Sequence, residues 1–239
     1  MKLIIGSKRY STWSLRPWLL LKHFDIAFDE VIIPFEMKPG VRELTDDIQA
    51  AMRATSPNGR VPVLHADDGS VINESFAICD FISEVSLDGT GWPSNRRHRF
   101  LAKSACLEMA TGFFNLRRLM PMSIGSRAAF AGPPPAAAVA DIQRVFSILS
   151  TCLSQKPAGS EFLLGSFGIV DAFYAPVLQR FATYNTELPA PVREYSERMS
   201  ELPAVREWCR AALSENVKIE EIEEIVRQYP RELESSCKI

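Results

Sequence analysis

The chain has 239 residues, enough for one large domain or two modest ones with separate cores. Hydrophobic residues make up 46% and charged residues 23%, and 27 basic side chains against 29 acidic ones leave a net charge of -2. That balance excludes the strongly basic surface of a nucleic-acid binder and gives no electrostatic reason to approach an anionic membrane, so neither partner is expected. The five cysteines, Cys79, Cys106, Cys152, Cys209 and Cys237, are scattered and form no CxxC pair. They point to a reduced compartment, with neither a disulfide framework nor a zinc site. His23, His65 and His98 are too separated for a local metal motif, so no metal is expected. Met1 leads directly into the short run "KLIIGS", and no stretch approaches the roughly 20 apolar residues of a membrane span. A cytoplasmic location is expected.

Along the first 85 residues, strand-like and helix-like patterns alternate. "KLIIGS" (2–7) reads as a buried strand. "SLRPWLLLKHF" (14–24) reads as a helix whose Pro17 falls in the first turn, where its missing N–H breaks no bond. "FDEVIIPF" (28–35) predicts a second strand and residues 41–54 a second helix. In "VPVLHADDGSVI", two apolar runs, 61–65 and 70–72, flank the turn signal "DDGS" and predict a hairpin. A third helix follows, with Phe76, Ala77, Ile78, Phe81, Ile82 and Val85 as its apolar stripe. The order βαβαββα describes a mixed sheet of thioredoxin type. Gly89, Gly91 and Pro93 then interrupt all periodicity, which sets domains at 1–87 and 94–239. The second is all-helical, with helices expected at 95–119, 136–156, 169–182, 190–200, 203–214 and 217–228. "AGPPPAAA" (131–138) reads as a loop leading into a helix.

Four stretches, "YSTWSLRPW", "SPNGRVPVL", "NESFAICDFI" and "GSFGIVDAFYAPVL", occur in the order and spacing of one family. The chain resembles cytosolic glutathione transferases, in the serine-type branch near the zeta class and its bacterial relatives, up to about residue 214. The resemblance implies glutathione as co-substrate and a homodimer that packs the first domain of one subunit against the helical domain of its mate. It implies a cis Val61–Pro62 bond within "RVPVL" (60–64), leaving the Val61 main chain to pair with glutathione as an added strand residue beside Arg60. Ser75 is implied to hold the γ-glutamyl carboxylate at a helix N-terminus, and Glu74 to face the ammonium group. Asp171 is implied to be structural, the third residue of a capping box in which Gly168 stands where Ser or Thr is usual.

The thiol of glutathione attacks only as thiolate, and a free thiol near pKa 8.5 is mostly protonated at neutral pH. Lowering that value by about 2 units takes roughly 2.7 kcal/mol of preference for the anion. A hydroxyl donating to sulfur, aided by a helix N-terminus, supplies much of it. In the serine-type pattern S-x-x-S-x-R, which here reads Ser11-Thr12-Trp13-Ser14-Leu15-Arg16, the first serine is the activating one. Ser11 is therefore the expected catalytic residue. Ser14 is expected to cap the helix, Thr12 to support or replace Ser11, and Arg16 to be a structural charge. Tyr10 remains open, because another branch of the family uses tyrosine. Trp13 occupies the place where zeta-class isomerases carry a cysteine, which weakens maleylacetoacetate isomerisation and removes disulfide exchange. The electrophile is expected beside 109–122, with Phe113, Phe114, Met120 and Met122 as apolar lining and Arg117 or Arg118 to receive an acidic group. Three readings stand at this level: a transferase in detoxification, a glutathione-dependent isomerase or peroxidase, and a non-catalytic binding protein on the same fold.

Overall fold

In a computed structural model, which describes residues 1–38, 43–128 and 136–227, the first apolar run forms β1 (Lys2–Gly6). Its side chains alternate as a strand requires: Leu3 and Ile5 join the main core, while Ile4 faces the other side of the sheet with Ile33, Met52 and Val63. The sheet has the order β2-β1-β3-β4, where β2 is Asp29–Ile33, β3 Val63–His65 and β4 Val71–Asn73. β1 and β2 are parallel, while β1–β3 and β3–β4 are antiparallel. Gly69, at φ 88°, closes the expected hairpin turn, where Asp68 Oδ1 accepts from Ser70 N at 2.8 Å. Helices α1 (Thr12–His23) and α3 (Ser75–Leu87) cover one face, and α2 (Asp46–Thr55) covers the other. The α3 stripe differs from expectation at its end, since Val85 is exposed.

Among the described residues after 87 every element is helical: α4 (Arg96–Thr111), α5 (Phe114–Leu119), α6 (Ala136–Ser154), α7 (Ile169–Thr183), α8 (Ala190–Glu201), α9 (Pro203–Ser214) and α10 (Glu220–Arg227). The single helix expected over 95–119 is two. Gly112 ends α4 where an added Cβ would lie 2.9 Å from Glu108 O, and Phe113 turns left-handed at φ 59°. Residues 131–135 of the "AGPPPAAA" loop lie outside the described residues, and α6 begins at Ala136. α6 is, contrary to expectation, long and apolar enough to cross a membrane. Its apolar face, which includes Ile142, Val145 and Leu149, instead belongs to the common core.

α7 is buried along most of its length and packs against α1 and α4, joining the two parts of the molecule. Trp18 of α1 meets Trp208 of α9 edge-to-face at 5.0 Å, so one apolar cluster runs from the sheet into the helices. Cys79, Cys106 and Cys152 are buried in it as unpaired thiols.

Candidate active site

The loop 7–11 delivers the chain into α1. Ser11 N donates to Ser7 O at 2.8 Å, and Ser11, 5% exposed, is the N-cap: its Oγ accepts from Ser14 N at 3.3 Å. The expected cap, Ser14, does other work. Its Oγ accepts from Gly6 N at 3.1 Å and from Ser11 Oγ at 2.7 Å, tying the helix to the end of β1. Both serines stand where a hydroxyl can cap, and the chain uses the earlier one because Ser14 is already inside the first turn. Thr12 and Trp13 are half-buried.

Trp13 borders a cleft of about 430 Å³, where Arg60, Val61, Pro62, Glu74 and Ser75 meet Leu107, Ala110 and Thr111 of α4 and Arg117 of α5. The cleft lies between the sheet domain and the helices. The Val61–Pro62 bond is cis. Glu74 enters α3 at φ 68°, and its carboxylate accepts from Asn58 Nδ2 at 3.2 Å. Ser75 is buried and donates from Oγ to Trp13 O at 3.1 Å, so the starts of α1 and α3 are joined by one hydrogen bond. A larger groove of about 610 Å³, between the 88–99 linker and residues 157–170, holds none of the expected site residues.

The remaining candidates divide. Arg117 lines the cleft, with its guanidinium carbon 4.9 Å from the Trp13 ring centroid and 5.9 Å from that of Phe114, and it donates to Met109 O. Burial draws its pKa down, and the charge of Asp141 opposes that. Phe113, Met120 and Met122 are core residues, while Phe114 is 70% exposed outside the cleft lining. Ser11 is not among the cleft-lining residues either.

Tyr10 is committed elsewhere. Its hydroxyl donates to Glu223 Oε1 at 2.7 Å and accepts from Ile219 N at 3.2 Å. Burial, with the Glu223 hydrogen bond behind it, pushes the phenol well above its ordinary pKa, the reverse of what a thiol activator needs. Sequence reasoning missed this contact. Residues 215–226 lie across the 7–11 loop: Glu215 Oε1 accepts from Lys8 N at 2.6 Å and its Oε2 from Arg9 N at 3.1 Å. Glu223 also accepts from Ser123 Oγ at 2.9 Å and Ser126 Oγ at 3.2 Å. The only local signal was an amphipathic run of glutamates, which says nothing of its partners.

Asp171 forms the expected box and more. Oδ2 accepts from Gly168 N at 2.9 Å, and Oδ1 accepts from Leu163 N and from Tyr195 OH, each at 2.9 Å. Complete burial raises its carboxyl to about 7, against the pull of those donors. The glycine at position 168 has a steric cause. An added Cβ would stand 2.8 Å from Gly91 O, so a Ser or Thr here forces the backbone to shift.

Residues 10–85 match the model of the glutathione S-transferase N-terminal domain and residues 127–211 that of its C-terminal domain, together more than half of the chain. The chain belongs to the glutathione S-transferase family. It is a glutathione transferase by both of its domains, as the sequence motifs led one to expect. A probable maleylacetoacetate isomerase of Caenorhabditis elegans is 25% identical over 197 residues, covering 81% of this chain and 85% of that protein. Among solved structures, a glutathione transferase homologue from Burkholderia with bound glutathione is similar at TM-score 0.65 and 20% identity, covering 90% of this chain and 98% of the other. A sphingomonad glutathione S-transferase complexed with glutathione is similar at TM-score 0.59 and 19% identity, covering 90% and 100%. At these identities the two structures establish the fold of this transferase.

Proposed function

We propose that this transferase binds glutathione in the 430 Å³ cleft and presents its thiol as a thiolate to a small electrophile entering between the domains. The observation that carries the reading is the convergence there of Arg60, Val61, Pro62, Glu74 and Ser75, from two separate motifs, at the start of α1 beside Trp13. Solved relatives with glutathione bound support it. The main chain of Val61 pairs with the tripeptide, the start of α3 at Ser75 receives a carboxylate, and Glu74 receives the ammonium group. Ser11 supplies the activating hydroxyl. To do so it redirects its proton from Ser14 Oγ to sulfur; Thr12, one residue on, is the second candidate. Arg117 faces the electrophile, and Phe113 and Phe114 contribute less than the sequence alone implied.

The test is retention on immobilised glutathione, elution by free glutathione, and turnover of a panel of model electrophiles. Retention with conjugation supports the reading. Retention without any turnover makes the chain a binding protein, and loss of both overturns it. The relationship to a probable maleylacetoacetate isomerase favours a second reading, isomerisation with glutathione returned unchanged, despite Trp13 in place of the cysteine. An assay on maleylacetoacetate separates the two.

The cytoplasm suits its unpaired thiols. The proposed assembly is a homodimer. Phe100 and Leu107, 58% and 47% exposed and seven residues apart on α4, give the helical domain an apolar face, and Val71 and Val85 are exposed on the sheet domain. A monomer by light scattering at micromolar concentration would count against it.

A further inference from the structure

Arg16, in the second turn of α1, is 1% exposed, and its Nε and Nη1 have no hydrogen-bond partner among the described residues. Its guanidinium carbon lies 4.1 Å from the ring centroid of Trp13 and 4.6 Å from that of Phe173, so two aromatic rings flank the cation. The other charges that reach it are positive: Arg117 from α5 and Arg180 from α7. Cys79 of α3, Cys106 of α4 and Tyr174 of α7 also face it, and burial pushes all three up, so they stay neutral. The carboxylates that act on its neighbours are engaged with other partners. Asp80 holds Trp92 and Lys103, Glu108 holds Arg144, Asp141 accepts from Leu116 N, and Asp171 holds Gly168, Leu163 and Tyr195.

A guanidinium out of water with no counter-ion is costly. Burial and the neighbouring arginines draw its pKa down to about 9, which still leaves it charged at neutral pH. Such a charge is accounted for if the compensating anion comes from outside the chain. The indole it stacks against is the one that lines the cleft at the start of α1.

We propose that Arg16 is a positioning residue for the reaction: its fixed positive charge, acting past Trp13, favours the thiolate of glutathione bound in the cleft over the thiol. The proton leaves to solvent, and the cation whose Nε and Nη1 lack a partner among the described residues gains an anionic one. This rests on the glutathione reading above and adds a second source of thiol activation beside the hydroxyl of Ser11. Its energetic signature is a pair of opposite signs. Replacing Arg16 weakens activation while relieving the free protein of an uncompensated charge.

The experiment titrates the near-ultraviolet absorbance of the thiolate in the glutathione complex of the full chain, for the natural protein, Arg16→Met and Arg16→Gln. The expected result is a rise in the thiol pKa of about 0.5–1 unit in both variants, about a three- to tenfold fall in its ionisation constant. Affinity for glutathione at low pH, where the thiol is protonated, should stay within about twofold. The melting temperature of ligand-free Arg16→Met should equal or exceed that of the natural protein. A merely structural arginine gives the reverse, a lower melting temperature with an unchanged titration, and that result overturns the inference. If Arg16→Met fails to fold, the expectation on stability is wrong, and Arg16→Gln titrating like the natural protein disposes of the rest. Should the natural protein lower the thiol pKa and the variants do so equally, only the role of Arg16 falls. Failure of the natural protein to bind glutathione overturns the function with it.

Discussion

Two buried helix starts in this molecule are built in opposite ways. At α7, the Asp171 carboxylate accepts three hydrogen bonds, from Leu163 N, Gly168 N and the Tyr195 hydroxyl. At α1, a serine caps the first turn, no acid stands in that turn, and Arg16 in the next turn has two guanidinium nitrogens without a partner among the described residues. Both helices lie in the same core and pack on each other. The difference teaches where the chain was shaped for stability and where charge was left for a ligand. A satisfied start holds the fold together, and an unsatisfied positive one suits an incoming anion.

The comparison breaks most visibly at α7. Asp171→Ala leaves the N–H groups of Gly168 and Leu163 and the Tyr195 hydroxyl without their acceptor, and should cost about 3–5 kcal/mol in denaturant titrations. pH supplies an independent check. The carboxyl titrates near 7 when folded and near 4 when unfolded, so above about pH 4 the unfolded chain holds fewer protons. The contribution of Asp171 to stability should therefore decline as pH climbs from about 4 to about 7 and be level above that. Denaturation midpoints of natural protein and variant at pH 5 and pH 8 should lie closer together at the higher pH.

A milder test at the same helix is Gly168→Ser, which restores the residue usual in this motif. With Gly91 O 2.8 Å from the new Cβ, it should destabilise by about 1–3 kcal/mol instead of improving the cap. At α1, Ser11→Ala removes an N-cap worth about 1 kcal/mol, visible as a lowered denaturation midpoint. Its larger consequence is functional: the thiol pKa of bound glutathione should rise by about 1–2 units, with little change in affinity. Tyr10→Phe has the smallest effect on the thiol. It should cost about 1.5–3 kcal/mol through the lost bond to the Glu223 carboxylate and the unmatched Ile219 N, and leave the thiolate titration where it was. A shift there, with none in Ser11→Ala, would move the activating role to the tyrosine.

Much of this was legible in the sequence because its causes are local. Alternation in "KLIIG", the "DDGS" turn and the apolar stripes fix elements within a few residues of their observed limits. The motifs around Pro62 and Glu74 placed five residues that share one cleft. What escaped was set by distant partners. Whether Ser11 or Ser14 caps α1 depends on Gly6 N at the end of β1. The break at Gly112 was hidden inside one apolar rhythm. Burial of Phe113 and exposure of Phe114 follow from the left-handed turn there, which no periodicity announces. Nor does spacing reveal that Arg16 lies between Trp13 and Phe173, which are 160 positions apart along the chain (173 - 13).

The hydrogen bond from Tyr10 to Glu223 joins residues 213 positions apart. On the ribosome, the sheet domain emerges long before the segment that closes over its first loop exists. Domains generally fold as units during synthesis, N-terminal first. Here the loop leading into α1 waits for Glu215 and Glu223, so the nascent sheet domain carries this loop without those partners through most of translation. On the function proposed above, competence to bind glutathione should therefore arrive late, when residues 215–226 dock.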